Sequence, residues 1–274
     1  MILKKEDLKQ LALCQKVMYH DALLLLSSIL KREYSKLFFE KAFDVSENDY
    51  AVLKSFLLRR GKSEPIAKII QKKEFYGLCF KTTSDTLDPR PETELLIDIF
   101  KRYHQNDATN LKILDLGSGT GCIGITILTL YPNATCCFVD INPETLEVAK
   151  ENAKFHQVYK RSGFICSNWF EHIGGATFDV IISNPPYIAS NYKIDKETSY
   201  DPPLSLFAGA DGMDAYRVIL PRAHKYLNSN GLLLIEIGIG QSSKITQILT
   251  NLRLLHIEKD LAGIERVCTF RKEN

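Results

Sequence analysis

The stretch LKILDLGSGTGCIGITILTLY (111–131) constrains the chain most. An apolar run ends in three alternating glycines, Gly117, Gly119 and Gly121, and a second apolar run with no polar face follows at once. The first run is short enough for a buried strand and the second is long enough for a helix. A strand that turns straight into a helix must return by a crossover to a parallel neighbour, so the rest of the chain should repeat the unit. It does: CCFVDI, GFICS, FDVIIS and GLLLIEIG read as strands, and PETLEVAKENAKFH and AYRVILPRAHKYL read as helices. Alternation at this spacing predicts an α/β fold, a mostly parallel sheet covered on both faces. The tail LRLLHIEKDLAGIERVCTFRK adds two strands around an Ala-Gly turn, an expected antiparallel edge hairpin that brings the sheet to seven strands.

Upstream the texture differs. Residues 1–75 read as a small helical bundle: DALLLLSSILK crowds its apolar residues, and DVSENDYAVLKSFLLRR opens with Ser46 three residues before Asp49, a variant capping box. EFYGLCFKTT (74–83) predicts a hairpin, and TLDPRPETE (86–94) is a proline-broken connection. The expected organisation is a helical domain over 1–75, a hairpin and linker over 76–91, and a sheet domain over 92–274.

Charge and cysteine usage exclude several classes. Residues 1–85 carry 16 Lys+Arg against 11 Asp+Glu, net +5, and residues 86–274 carry 19 against 22, net −3. That is too little clustered positive charge to argue for a nucleic-acid partner. Seven cysteines without a Cys-x-x-Cys pair predict reduced, mostly buried thiols, and no ligand spacing for a metal is present. The N-terminus lacks a long apolar core, and no apolar run reaches the roughly 18 residues of a membrane span. The expectation is a cytoplasmic monomer with no membrane partner.

The glycine loop points to a nucleotide-like ligand. Glycine supplies close backbone approach without a Cβ penalty. The next strand ends at Asp140, placed to accept hydrogen bonds from ribose hydroxyls. GSGTG holds no Lys or Arg for phosphates, and although residues 61–63 spell GKS, a Walker loop needs glycine where Phe56 stands. LDLGSGTG with Asp140 resembles the first two motifs of the class I S-adenosylmethionine-dependent methyltransferases, whose fold is a Rossmann-like sheet.

A second motif narrows this. SNPPYI (183–188) ends the fourth strand with a rigid polar corner, although proline cannot donate to a sheet ladder. It resembles the corner of amino-methyltransferases acting on planar, weakly nucleophilic nitrogens. The Asn184 side-chain oxygen and the Pro185 carbonyl could grip both N–H bonds of such a nitrogen and favour its developing positive charge. Pro185 and Pro186 would hold that carbonyl still, and Tyr187 would offer an aromatic wall. No general base is required.

The whole sequence resembles the release-factor glutamine methyltransferases, which modify the glutamine of the GGQ motif of peptide chain release factors. DALLLL with LLRRGKSEPIAKIIQKKEFYG looks like that family's helical substrate-recognition domain and hairpin, DPRPETE like its linker, and SYDPPLSLFAGADGMDAY like its loop after NPPY. The resemblance implies S-adenosyl-L-methionine as methyl donor and a release factor as protein partner, with no direct nucleic-acid contact. It implies cofactor contacts from Gly117, Ser118, Gly119, Thr120, Gly121, Asp140, Trp169 and Asn184. Asn184, Pro185, Pro186 and Tyr187 would receive the glutamine amide, with Asn184, Pro185 and Tyr187 catalytic. Asn168 stands where the family usually has aspartate, and Asp201 where it usually has glutamate. An N6-adenine or guanine methyltransferase acting on nucleic acid is the alternative, since similar corners serve flipped bases. A non-catalytic relative is the other, and the intact glycine loop and NPPY count against it.

Overall fold

The computed structural model describes residues 1–249 and 251–273. Two compact units make up the chain: Met1–Lys72 with Ile194–Tyr200, and Lys73–Lys193 with Asp201 onward.

In the first unit, α1 (Lys5–Cys14), α2 (Tyr19–Leu30), α3 (Tyr34–Phe39), α4 (Glu47–Gly61) and α5 (Ile66–Ile70) pack around a leucine-rich core. Leu8, Leu23, Leu26, Leu37 and Leu53 are fully buried, each contributing about 1.5–3 kcal/mol of transfer free energy. The Asp49 backbone N–H donates to Ser46 Oγ at 3.0 Å, so α4 starts at the expected cap. The unit also holds an element absent from the sequence reading. The strands β1 (Ile2–Lys4) and β2 (Ala42–Asp44) pair antiparallel, Leu3 opposite Phe43. Three residues per strand are too few to show a period of two. The segment 194–200 joins this unit through Arg60, whose guanidinium meets Asp21 and Glu197, each at 2.7 Å.

The second unit opens with the hairpin β3 (Lys72–Phe75) and β4 (Leu78–Lys81) and continues through α6 (Glu94–Tyr103). The predicted alternation follows. It runs through β5 (Lys112–Leu116), α7 (Cys122–Leu130), β6 (Thr135–Asp140), α8 (Pro143–Phe155), β7 (Ser162–Cys166) and β8 (Phe178–Ser183). Then come α9 (Asp214–Ala223), β9 (Leu227–Glu236), the short α10 (Ser242–Thr246), β10 (Leu252–Lys259) and β11 (Glu265–Lys272). All seven predicted strands form one sheet, in the order β10-β11-β9-β8-β5-β6-β7. Strands β9 through β7 in that order run parallel, and β11 pairs antiparallel to both β9 and β10 as the edge hairpin.

Helix α7 explains its own apolar sequence. It is buried on almost every side, and Gly124 lets it approach β6: a Cβ there would lie 2.6 Å from Phe138 and 2.8 Å from Cys136. The chain reverses direction across the sheet between β5 and β8. In open α/β sheets ligands bind beside the carboxyl ends of strands at such a point. The glycine loop leaves β5 there, and the NPPY corner leaves β8. Of the seven cysteines, Cys122, Cys136 and Cys268 are buried as expected, whereas Cys14, Cys79 and Cys166 are exposed.

Candidate active site

The loop after β5 is built by backbone geometry. Gly117, Gly119 and Gly121 take φ of +76°, +54° and +77°, where a Cβ would be strained. The N–H groups of Gly117 and Ser118 both donate to the Val139 carbonyl, at 2.8 and 2.9 Å, tying the loop to the end of β6. A Cβ on Gly119 would meet nothing within 4 Å, so this face of the loop is open.

Asp140 ends β6 and is anchored at both oxygens. Gly119 N–H donates to Oδ2 at 2.9 Å and Asn142 N–H to Oδ1 at 3.1 Å. Burial raises its pKa, and these N–H groups oppose the rise. Asp115, one strand over and fully buried, accepts the Gly124 N–H at 2.9 Å; among the described residues its second oxygen has no partner. Burial pushes it up to about 7, and the nearby Asp140 adds to the rise. Trp169 sits on a left-handed backbone, φ +53°, its ring 3.5 Å from where a Gly117 Cβ would stand. That conformation costs a non-glycine residue about 1–3 kcal/mol and is typical of functional sites.

The β8–β9 register sets Ser183 opposite Ile235, so the next residues, Asn184 and Glu236, come level. Asn184 Nδ2 donates to Thr93 Oγ1 at 3.0 Å, and Thr93 donates onward to Glu236 Oε2 at 2.7 Å. Tyr187 OH donates to Glu236 Oε1 at 3.3 Å. Gln241 steadies the corner from behind, donating to the carbonyls of Tyr187 and Gly212 at 3.0 and 3.2 Å.

One cavity of about 350 Å³, within the size range of small-molecule sites, brings the two motifs together. Gly117, Ser118, Gly119, Thr120, Asp140 and Trp169 line it, and so do Asn184 and Pro186. Gly121, Pro185 and Tyr187 do not. Gly121 is the N-cap of α7, Pro185 is buried at the corner, and the Tyr187 ring packs against Gly238. Asn168 lines the cavity and donates to Glu171 at 2.9 Å. The donor set suits an adenosyl group: a fixed carboxylate, an indole, an open glycine face, and a buried Ser118 Oγ that has no partner among the described residues.

Sequence reasoning missed Thr93, Glu236 and the ion pair that fixes the linker beside the cavity. Asp201, its side chain almost wholly buried, pairs with Arg90 and accepts the Asp88 N–H at 3.3 Å. Asp88, Arg90 and Pro202 line the cavity beside the cofactor loop. A signal for Glu236 existed: it is the one charge inside GLLLIEIG.

Comparison with known proteins gives a consistent picture. Residues 84–200 match the family model described as the methyltransferase small domain. A bifunctional methyltransferase of Rickettsia bellii is 35% identical over 277 residues, covering 90% of this chain but 50% of that protein. The chain thus spans about half the length of the bifunctional relatives it matches. A release factor glutamine methyltransferase of Coxiella burnetii is 34% identical over 267 residues, with 96% of this chain and 95% of that protein covered. Among solved structures, a methyltransferase from Pyrococcus furiosus aligns with a TM-score of 0.52 at 16% identity, over 84% of this chain and 100% of that one, a likeness of fold.

Proposed function

The chain belongs to the release factor glutamine methyltransferase family, and from that premise we propose that it methylates the side-chain amide nitrogen of the GGQ glutamine in peptide chain release factors, with S-adenosyl-L-methionine as donor. The observation that carries this reading is Asn184: its amide nitrogen is tied to Thr93, while the residue lines the same cavity as Asp140 and the glycine loop.

Bound in the cavity, S-adenosyl-L-methionine would supply an electrophilic methyl group on a sulfonium. The residues of the chain divide the remaining work. Asp140 accepts the ribose hydroxyls with the lone pairs left by Gly119 and Asn142, and Trp169 covers the adenine. Gly117 and Gly119, on the cavity wall, let the backbone approach the methionine part.

An amide nitrogen is a poor nucleophile because its lone pair is delocalised into the carbonyl. Asn184 Oδ1 and the Pro185 carbonyl accept its two N–H bonds, turn its lone pair toward the methyl, and stabilise the positive charge that develops there. The nitrogen becomes strongly acidic once methylated, so its excess proton leaves to solvent without a dedicated base. Pro185 and Pro186 keep the corner rigid, and Tyr187 braces it through Glu236. The helical unit holds the release factor, and the chain acts as a cytoplasmic monomer.

The test is transfer of labelled methyl to purified release factor beside the same factor with GGQ changed to GGA. Label on the first and none on the second supports the reading. Label on both, or on nucleic acid alone, overturns it.

A further inference from the structure

Thr93 and the corner's Tyr187 converge on one buried carboxylate that the transfer itself does not use. Glu236 is 1% exposed at the end of β9 and accepts from Thr93 and Tyr187, one on each oxygen. We propose that Glu236, acting through Thr93, sets which end of the Asn184 amide faces the acceptor nitrogen, so that Thr93 and Glu236 are positioning residues for methyl transfer; this rests on the glutamine-amide reading above.

The count of available protons fixes which way the amide turns. An ionised carboxylate only accepts hydrogen bonds, and a threonine hydroxyl has one proton to give. With that proton directed to Glu236 at 2.7 Å, Thr93 has only lone pairs left for Asn184. It must therefore meet the amide nitrogen, as it does at 3.0 Å, and Oδ1 is left as the free end. A protonated Glu236 reverses the order: it donates to Thr93, which can then donate to Asn184 Oδ1 and draw away the acceptor that the substrate needs.

The surroundings make that reversal accessible. Burial lifts Glu236 from the ordinary 4.5 to about 7. Its hydrogen bonds from Thr93 and Tyr187 and the Arg266 charge from β11 oppose the rise, while Glu92, just before α6, adds to it. Tyr216 of α9 faces it too, donating to the Glu236 main-chain oxygen at 3.0 Å. The ionised form is the competent one, so turnover should rise with pH through about 7.

The experiment measures kcat, KM for release factor and cofactor Kd between pH 6 and 9 for wild type, Thr93→Val, Thr93→Ser, Glu236→Gln and Asp115→Asn. Thr93→Val should lose about a hundredfold in kcat, the cost of a misplaced contact, with cofactor Kd within about threefold. Thr93→Ser, which keeps the hydroxyl, should recover most of it. The acid limb near pH 7 should vanish in Glu236→Gln and persist in Asp115→Asn, whose carboxyl burial also lifts to about 7. Thr93→Val within threefold of wild type, or an acid limb surviving Glu236→Gln, overturns the proposal.

A second readout needs no substrate: the Asn184 side-chain NH₂ resonance should titrate near pH 7 in wild type and stop in Thr93→Val. That titration in an enzyme inert toward release factor would keep the positioning device and overturn the substrate reading. A resonance indifferent to pH overturns the device.

Discussion

Replacing Asp115 by asparagine should make the protein less sensitive to rising pH. Asp115 lies under the glycine loop, fully buried, with one oxygen bonded to Gly124 N–H and the other without a partner among the described residues. Its pKa is raised from 3.8 to about 7, chiefly by burial. A carboxyl raised in the folded state favours folding while it is protonated, and that contribution is lost as pH climbs through the folded value. At pH 5 the unfolded carboxyl is already ionised and the native one is not. From pH 5 to 7 the native state therefore holds the extra proton, and wild-type stability falls over about two units at 1.36 kcal/mol each, close to 3 kcal/mol. Above 7 the slope from this group disappears.

Asparagine keeps an acceptor for Gly124 N–H and does not titrate. Glu236 contributes a slope of the same sign in both proteins and cancels in the comparison. The assay is urea unfolding of wild type and Asp115→Asn at pH 5.0 and 8.5, followed by tryptophan fluorescence, since the single Trp169 lies in the cavity. The difference between the two proteins should shift by about 3 kcal/mol in favour of the variant at the higher pH. An equal difference at both pH values would refute the claim that the charge is buried at a cost beneath the loop.

Other outcomes follow from single contacts. Asn184→Ala should lose about 10²–10³ in kcat, the range for one oriented acceptor, with cofactor Kd within threefold; turnover within tenfold of wild type would sink the clamp. Asp140→Ala should weaken cofactor binding by roughly ten- to a hundredfold, as loss of charge-assisted hydrogen bonds does, and calorimetry reads this directly. Gly124→Ala forces a Cβ to 2.6 Å from Phe138 and should destabilise by about 1–3 kcal/mol; unchanged stability in denaturant melts would mean that α7 can shift on the sheet.

What the sequence made legible was what repeats or what is chemically unusual. The α/β alternation was readable because apolar runs of strand and helix length recur between turn residues, and the register of β8 on β9 then had little freedom. Gly117, Asp140 and Asn184 could be placed at strand ends because each interrupts an apolar run with a residue that a strand interior would not choose. The β1–β2 pair was not readable, because its partners lie some 40 residues apart and each spans one pleat and a half. Thr93 carries no local mark: its role exists only because a strand 143 positions away ends in Glu236. Asp201 is similar, since its partner Arg90 belongs to a linker far upstream. Tyr187 was read as an aromatic wall; its hydroxyl instead bonds to Glu236 and its ring packs on Gly238, which motif chemistry alone does not reveal.

The measurement that bears most directly on the central claim is the position of the transferred methyl. Release factor labelled by this enzyme would be digested and the GGQ peptide sequenced by tandem mass spectrometry. Acid hydrolysis of the same peptide would then show whether the label leaves as methylamine. A single added methyl on the glutamine side chain, released as methylamine, is the result this structure predicts. A methyl on any other residue, or one that stays with the amino acid after hydrolysis, would contradict the assignment of Asn184 and Pro185 as acceptors for a carboxamide.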